Sequence, residues 1–359
     1  MIQGHGGNRG EAARKARCRP EEIIDMSSNI NPLGMVPGLL AFLQAQLSSI
    51  MSLPEVDARS ATESLADILG ISSAGMLMGT GTTQFIYTVC PALRPKKVLI
   101  VGPTYADYSS SCVMYGIEPD YFLARDAERF RIDCGALAQR AAQVDVVFIC
   151  NPNNPTGILI PHEQLLELCR SQPATTFVID ESYLLFAQEG DDKSMVGSGL
   201  DNVVVLWSLS KIFGIPGLRA GFLVAEPEMA RQFSQYMQPW CANTMAQEAM
   251  GFLADHQETL ALFLQETKVY LQQEVALFRQ RLGSSPVTLY PGVTPYQLIK
   301  LPPGKRSAAV CDQLVADRLL IRDCSNFVGL DERYIRISLK NREINQLVAE
   351  KLTAVLGEL

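Results

Sequence analysis

Lys211 lies in the segment Trp-Ser-Leu-Ser-Lys-Ile-Phe-Gly-Ile-Pro-Gly-Leu-Arg-Ala-Gly, residues 207–221. A loop lysine taken alone is ordinarily a solvated one. Its neighbours change that reading. Gly214, Pro216, Gly217 and Gly221 prescribe a tightly shaped turn. Ser208 and Ser210 add hydroxyl donors and Arg219 a bidentate donor, a set that suits a phosphate. An amine beside a phosphate cradle is the arrangement that a pyridoxal-phosphate Schiff base needs.

Other segments have the same double character. Asp180 closes the apolar run Thr-Phe-Val-Ile-Asp, where an unpaired carboxylate is costly. It either caps the element that follows or faces a cation such as a protonated pyridine nitrogen, with Tyr183 three residues on. Asn-Pro-Asn-Asn-Pro-Thr-Gly at 151–157 forces a turn directly after a strand. That is where ligands gather in open α/β sheets, and an asparagine side chain there can donate to a ring hydroxyl. Gly-Thr-Gly-Thr-Thr-Gln at 79–84 reads as a glycine turn opening a helix, whose amides at Gly81, Thr82 and Thr83 suit an anion. Tyr105 is either a core or surface tyrosine or a ring that stacks on a flat ligand.

The elements that must position these residues alternate. Apolar runs at 97–102, 145–151, 176–182, 202–208 and 220–225 read as strands, several without polar alternation, as in a sheet covered on both faces. Helical patterns occupy 36–50, 61–71, 104–115 and 161–171. The alternation predicts an α/β domain with a mainly parallel sheet. Beyond Pro239 a single long helical pattern covers 244–283. Short strand patterns at 287–290, 296–301, 319–323 and 334–339 follow, with helices at 306–317 and 342–357. That texture predicts a smaller α+β domain. The expected division is an N-terminal arm at 1–35, a large domain at 36–245 and a small domain at 246–359.

The chain of 359 residues is 47% hydrophobic and 19% charged, enough for a large core. Its formal net charge of −7 argues against nonspecific nucleic-acid binding and a polybasic membrane anchor, so any anion must be met by a local site. No apolar run is long enough to span a bilayer, and the polar, basic start lacks the apolar core of a signal peptide. Nine scattered cysteines and three histidines form no metal-ligand pattern. The expectation is a cytoplasmic protein with reduced thiols, no metal, no nucleic-acid partner and no membrane partner.

The order of glycine turn, aromatic, asparagine turn, aspartate, Ser-x-Ser-Lys and arginine, with Arg336 near the end, resembles the fold-type I pyridoxal-phosphate enzymes of the aminotransferase class. The resemblance covers essentially the whole chain. It implies that Lys211 is the catalytic lysine and that the cofactor is pyridoxal 5'-phosphate. It implies that Asp180 pairs with the pyridine nitrogen, that Asn154 and Tyr183 meet the ring hydroxyl, and that Tyr105 stacks on the ring. Gly81, Thr82, Thr83, Ser208, Ser210 and Arg219 would hold the cofactor phosphate, and Arg336 a substrate anion.

Within the class, Gly-His-Gly-Gly-Asn at 4–8, Ser-Ser-Asn-Ile-Asn-Pro-Leu-Gly at 27–34 and residues 319–338 are similar to the threonine-phosphate decarboxylases of cobalamin synthesis. The histidinol-phosphate aminotransferases are the neighbouring group. That similarity implies His5, Gly6, Asn29, Asn154, Arg322 and Arg336 as substrate contacts, a phosphorylated amino acid as substrate, and a homodimer. The implied reaction is decarboxylation of L-threonine O-3-phosphate, with phosphoserine as a close competitor. The alternative is transamination of histidinol phosphate or a related compound. The intact cofactor set speaks against a third possibility, a regulator that has lost catalysis. One departure from the class pattern stands at Leu53-Pro54, where a tyrosine usually precedes the proline and reaches the partner's cofactor phosphate. A smaller one is the absence of a carboxylate after the glycine turn at 79–83.

Overall fold

The computed structural model of the chain describes residues 6–188 and 193–358. The fold is α/β. Among the described residues the main sheet has seven strands. Their spatial order is Met76–Thr80, Ala220–Ala225, Val203–Ser208, Thr176–Asp180, Val146–Cys150, Val98–Gly102 and Asp120–Leu123. Ala220–Ala225 runs antiparallel to both of its neighbours, and the other pairs are parallel. The four inner strands carrying the Val/Ile/Phe/Leu runs are buried along nearly their whole length, as expected of a sheet covered on both faces.

The parallel strands end together. Cys150 is in register with Asp180, and Asp180 with Leu206. The asparagine turn, the aspartate and the lysine loop therefore emerge along one edge of the sheet. The antiparallel strand beginning at Ala220 returns Arg219 to the same edge, because Ser208 pairs with Gly221.

A four-stranded antiparallel sheet is built from Arg322–Asp323, Tyr334–Ser338, Tyr296–Lys300 and Thr288–Leu289, in that order. Its apolar face packs on the helices Ser307–Ala316 and Arg342–Glu358 through Ile299, Ile335, Ile337, Val310, Val348 and Leu352. The arm pairs with this part of the molecule: Ile24–Asp25 lies parallel to Leu319–Leu320.

Three readings of the sequence are corrected. The pattern at 244–283 is two helices, Thr244–Asp255 and Gln257–Arg281. His256 separates them with φ −122, and its Nδ1 is hydrogen-bonded to the Phe252 carbonyl at 2.8 Å. The side chain thus occupies the acceptor that the helix backbone would use. The run at 319–323 is two short strands that serve different sheets, parted at the buried Ile321. The helical pattern at 36–50 is the helix Leu39–Ala45 followed by a 3-10 segment, Leu47–Met51. The strands Met76–Thr80 and Asp120–Leu123 and the helices Arg9–Ala16, Cys134–Ala141 and Pro227–Ser234 were not anticipated.

Phe222 is fully buried at the centre of the antiparallel strand. Phe222→Ala is expected to destabilise the fold by about 3–5 kcal/mol. A lowered midpoint of thermal unfolding checks this; an unchanged midpoint contradicts the packing described.

Candidate active site

Two adjoining lobes open at the carboxyl edge of the main sheet, and Tyr105, Asn154, Tyr183 and Lys211 line both of them. The inner lobe, about 140 Å³, is also lined by Gly81, Thr82, Thr83, Asp180, Ser208, Ser210 and Arg219. The outer lobe, about 180 Å³, is lined by Gly6, Asn29, Arg322 and Arg336 among others. Every site residue expected from the sequence is thus gathered here except His5, which lies outside the described residues.

The inner lobe has an anion cradle at one end. Gly81 precedes the helix Thr82–Leu93 with φ 76, and no side chain caps that helix start. A Cβ at Gly81 would lie 2.7 Å from Arg219 Nη2, so the guanidinium occupies the space that a side chain would take. A Cβ at Gly221 would lie 2.5 Å from the Thr82 nitrogen. Two glycines therefore let the helix start, the lysine loop and Arg219 converge. Arg219 itself has φ 55 and donates from Nη1 to the Pro216 carbonyl at 3.3 Å. Ser208 Oγ accepts from Ser210 N at 3.3 Å, and Ser210 Oγ donates to the Ala220 carbonyl at 3.4 Å.

The other end is acidic. Asp180 is buried, and its carboxylate accepts from Tyr108 Oη at 2.8 Å and from Ser182 N at 3.0 Å. Burial raises its pKa, while the Ser182 and Tyr108 donors and the Lys211 charge oppose the rise. Tyr108 and Ser182 were missed from the sequence. Tyr108 stacks on Phe148 with ring centroids 5.1 Å apart, a contact between residues far apart in the chain. Tyr105 meets Tyr108 edge-on at 5.8 Å.

Between the two ends stands Lys211. Its pKa is pushed down to about 8, chiefly by burial and then by the Arg219 and Arg336 charges; Asp180 acts in the opposite sense. Asn154 and Tyr183 face the same space and are already oriented. The Asn154 oxygen accepts from Arg336 Nη1, which leaves its NH₂ to donate. Tyr183 Oη accepts from Asn29 Nδ2 at 2.9 Å, which leaves its own proton to donate. Burial pushes the Tyr183 pKa up to about 12 against the Arg336 charge, so the hydroxyl keeps that proton.

The outer lobe is the cationic one. Arg322 and Arg336 are direct cross-strand partners. Like charges so placed repel unless an anion or other acceptors offset them. Arg322 donates to Asn326 Oδ1 at 2.8 Å and lies over the Phe327 ring at 5.2 Å. Arg336 also donates to the Ser27 carbonyl at 2.6 Å, and its Nε is buried without a partner. The arm forms the opposite wall. Asp25 accepts from the Ser27 and Ser28 hydroxyls at 2.7 and 2.6 Å, and Gly7 N donates to Ser27 Oγ at 2.7 Å. A Cβ at Gly6 would lie 2.5 Å from the Ser27 carbonyl oxygen. Asn29 Oδ1 accepts from Ser338 Oγ at 2.7 Å, which fixes its amide toward Tyr183. Ser27, Ser28, Asn326 and Phe327 also line this lobe and were not singled out from the sequence. Leu53 is three-quarters exposed, with relative accessibility 75%, and lines neither lobe. Among the described residues no group of three or more His, Cys, Asp or Glu side chains could hold a metal ion.

The arrangement combines an amine with a lowered pKa, a buried carboxylate, two oriented donors, a flanking aromatic and two anion sites. It suits a planar phosphorylated ring aldehyde next to a small dianionic molecule.

Comparisons with known proteins agree with this chemistry. The family model for aminotransferase class I and II matches residues 21–352. The chain is 33% identical to a threonine-phosphate decarboxylase of Salmonella typhimurium over 98% of its own length and 96% of that protein. It resembles the crystal structure of L-threonine-O-3-phosphate decarboxylase from Porphyromonas gingivalis at 30% identity and TM-score 0.81, covering 92% of this chain and 99% of that one. It also resembles the histidinol-phosphate aminotransferase of Clostridium acetobutylicum at 25% identity and TM-score 0.85, covering 93% and 99%.

The lowered pKa makes a direct prediction. Below pH 8 Lys211 is protonated and unreactive; above it the amine is neutral. In the unliganded protein, acylation of Lys211 followed by peptide mapping should rise through about pH 8. Arg219→Gln removes a repelling charge, so the midpoint should move upward. A midpoint at the ordinary lysine value of 10.5 in the unaltered protein contradicts the burial and charge described.

Proposed function

This chain belongs to the aminotransferase class I and II family, and from that premise we propose that it is a pyridoxal-phosphate-dependent decarboxylase. Its substrate in this reading is L-threonine O-3-phosphate, and its product (R)-1-amino-2-propanol O-2-phosphate, made for cobalamin synthesis. The observation that carries the reading is the opposed pair Arg322 and Arg336 in the lobe next to Lys211. A phosphorylated amino acid brings two anionic groups to that lobe. The similarity to threonine-phosphate decarboxylases over nearly the full chain supports the choice among phosphorylated substrates.

The inner lobe fits the cofactor on the chemistry of its donors and on the close approach of Arg219 that Gly81 permits. When bound, pyridoxal phosphate supplies an electron sink conjugated to the substrate Cα. Arg219, Ser208, Ser210 and the amides of Thr82 and Thr83 would take its phosphate. Asp180, anchored by Tyr108 and Ser182, would pair with its ring nitrogen. The Asn154 NH₂ and the Tyr183 hydroxyl would donate to its ring oxygen, and Tyr105 would flank it. Lys211 is the amine that would hold it, and the same amine would return a proton to the substrate Cα.

Arg322 and Arg336 take the phosphate and carboxylate of the substrate. Arg336 Nε is buried without a partner. Asn29 and Gly6 line the lobe, and His5, which lies outside the described residues, is a substrate contact in this reading. How these groups turn the substrate decides which Cα bond faces the sink, and hence decarboxylation or transamination.

The arm at 1–35, large domain at 36–245 and small domain at 246–359 remain our division of the chain. We also assign the protein to the cytoplasm as a homodimer. Leu47, Ile50, Met51, Leu53 and Val56 form a run of exposed apolar side chains that suits burial against a second copy. The resemblance to a histidinol-phosphate aminotransferase at TM-score 0.85 favours a second reading, transamination of that or a related phosphorylated compound.

The test is incubation of the purified protein and pyridoxal phosphate with phosphothreonine, phosphoserine and, separately, histidinol phosphate with a keto-acid acceptor. CO₂ release from phosphothreonine is expected, with phosphoserine disfavoured by about 1–3 kcal/mol in kcat/KM for its missing methyl. Arg322→Leu should raise KM for phosphothreonine. Keto-acid-dependent conversion of histidinol phosphate without CO₂ release from phosphothreonine would overturn the decarboxylase reading.

A further inference from the structure

Lys211 needs more than a suitable pKa; its backbone must be held so that the amine reaches the reacting atoms. Before the lysine, the strand Val203–Ser208 fixes the chain through its ladder to Gly221. After it, the loop has little of its own. The Phe213 N to Leu209 carbonyl bond is long, at 3.3 Å. Ile212, Phe213 and Ile215 are buried in the core, and the arm supplies hydrogen bonds to the Lys211 and Ile212 carbonyls.

Asn31 is buried, and each of its polar groups is engaged. Its backbone N–H donates to the Lys211 carbonyl at 3.0 Å. Its Nδ2 donates to the Ile212 carbonyl at 2.8 Å and to Thr267 Oγ1 at 2.8 Å. Its Oδ1 accepts from Leu33 N, and its carbonyl from Gly34 N, both at 3.0 Å. Turning the amide over would set its oxygen against the Ile212 carbonyl, so one orientation is enforced. Thr267 is fully buried on the helix Gln257–Arg281. Next to this clamp, Gly214 has φ 68, and a Cβ there would lie 2.2 Å from the Gly34 carbonyl oxygen. Arm and lysine loop therefore meet backbone to backbone.

We propose that Asn31 is a positioning residue for Lys211: it clamps the two carbonyls at the lysine, with Thr267 fixing its amide, so that the amine stays aligned with the bound ring. Asn31 touches neither lobe, and it acts only through Lys211. The proposal rests on the reading of Lys211 as the residue that bonds the cofactor.

Two ligands separate positioning from general damage. Pyridoxal phosphate binds the cradle and bonds the lysine. Pyridoxamine phosphate has the same ring and phosphate but no carbonyl to react. Apo-protein carrying Asn31→Ala, and separately the isosteric Thr267→Val, is mixed with each. The visible band reports formation of the lysine adduct, and calorimetry reports the affinity for pyridoxamine phosphate. A displacement of the lysine predicts adduct formation slowed about 10- to 100-fold in Asn31→Ala. Thr267→Val should slow it less, and the pyridoxamine phosphate affinity should be unchanged in both. Wild-type adduct rates in both variants would overturn the proposal. So would a parallel loss of affinity for both ligands, which marks a purely structural role. Lys211→Ala is the control for the underlying reading: if it still forms the adduct, that reading fails, whatever the outcome at Asn31.

Discussion

In the function proposed here, an amine that must be neutral to react sits in a site that must be positive to hold phosphates. That constraint organises the molecule. Burial lowers the Lys211 pKa most, and the charges proposed to serve the anions, Arg219 on one side and Arg336 on the other, lower it further. Asp180 opposes that fall and keeps it to about 8. Were the carboxylate absent, Asp25 would be left to offset the two guanidinium groups at the lysine. Were the arginines absent, burial alone would lower the lysine pKa. The acidity of the chain as a whole, −7, is therefore no obstacle to anion binding. The positive field is local, and low-dielectric walls make it effective.

The fold supplies this balance from three directions. Parallel strands deliver the Asn154 turn, Asp180 and the lysine loop to one edge, and the single reversed inner strand brings Arg219 back to them. The small sheet contributes Arg322 and Arg336 as cross-strand partners. The arm contributes Asn29 and Asn31. Hydrogen bonds then tie the three parts together: Arg336 to Asn154, Asn29 to Tyr183 and Ser338, Asn31 to the lysine loop and Thr267. Arg336, proposed to take a substrate anion, is hydrogen-bonded to Asn154, so the two lobes are physically connected.

Much of this was legible in the sequence because it is local. Apolar runs gave the inner strands within a residue or two, since strands buried on both faces leave continuous Val/Ile/Phe stretches. The lysine loop was legible because glycine, proline and serine each restrict the chain in a recognisable way. Other features exist only in three dimensions. Met76–Thr80 reads as a turn-flanked segment, and its strand character depends on pairing with Ala220–Ala225. Tyr108 became part of the site through Phe148 and Asp180, neither of them near it in sequence. The break at His256 turned on one side chain taking a backbone acceptor, in a stretch whose composition otherwise favours a single helix. Asn31 looked like part of a motif, but its bonds to Ile212 and Thr267 span most of the chain.

We propose that one lysine, selected by this electrostatic balance, carries the chemistry. Borohydride reduction of the protein loaded with pyridoxal phosphate, followed by peptide mapping, checks this. A single pyridoxyl label is expected, on the peptide containing Lys211. A label on a different lysine, or labels spread over surface lysines such as Lys193 and Lys351 with Lys211 unmodified, would contradict it.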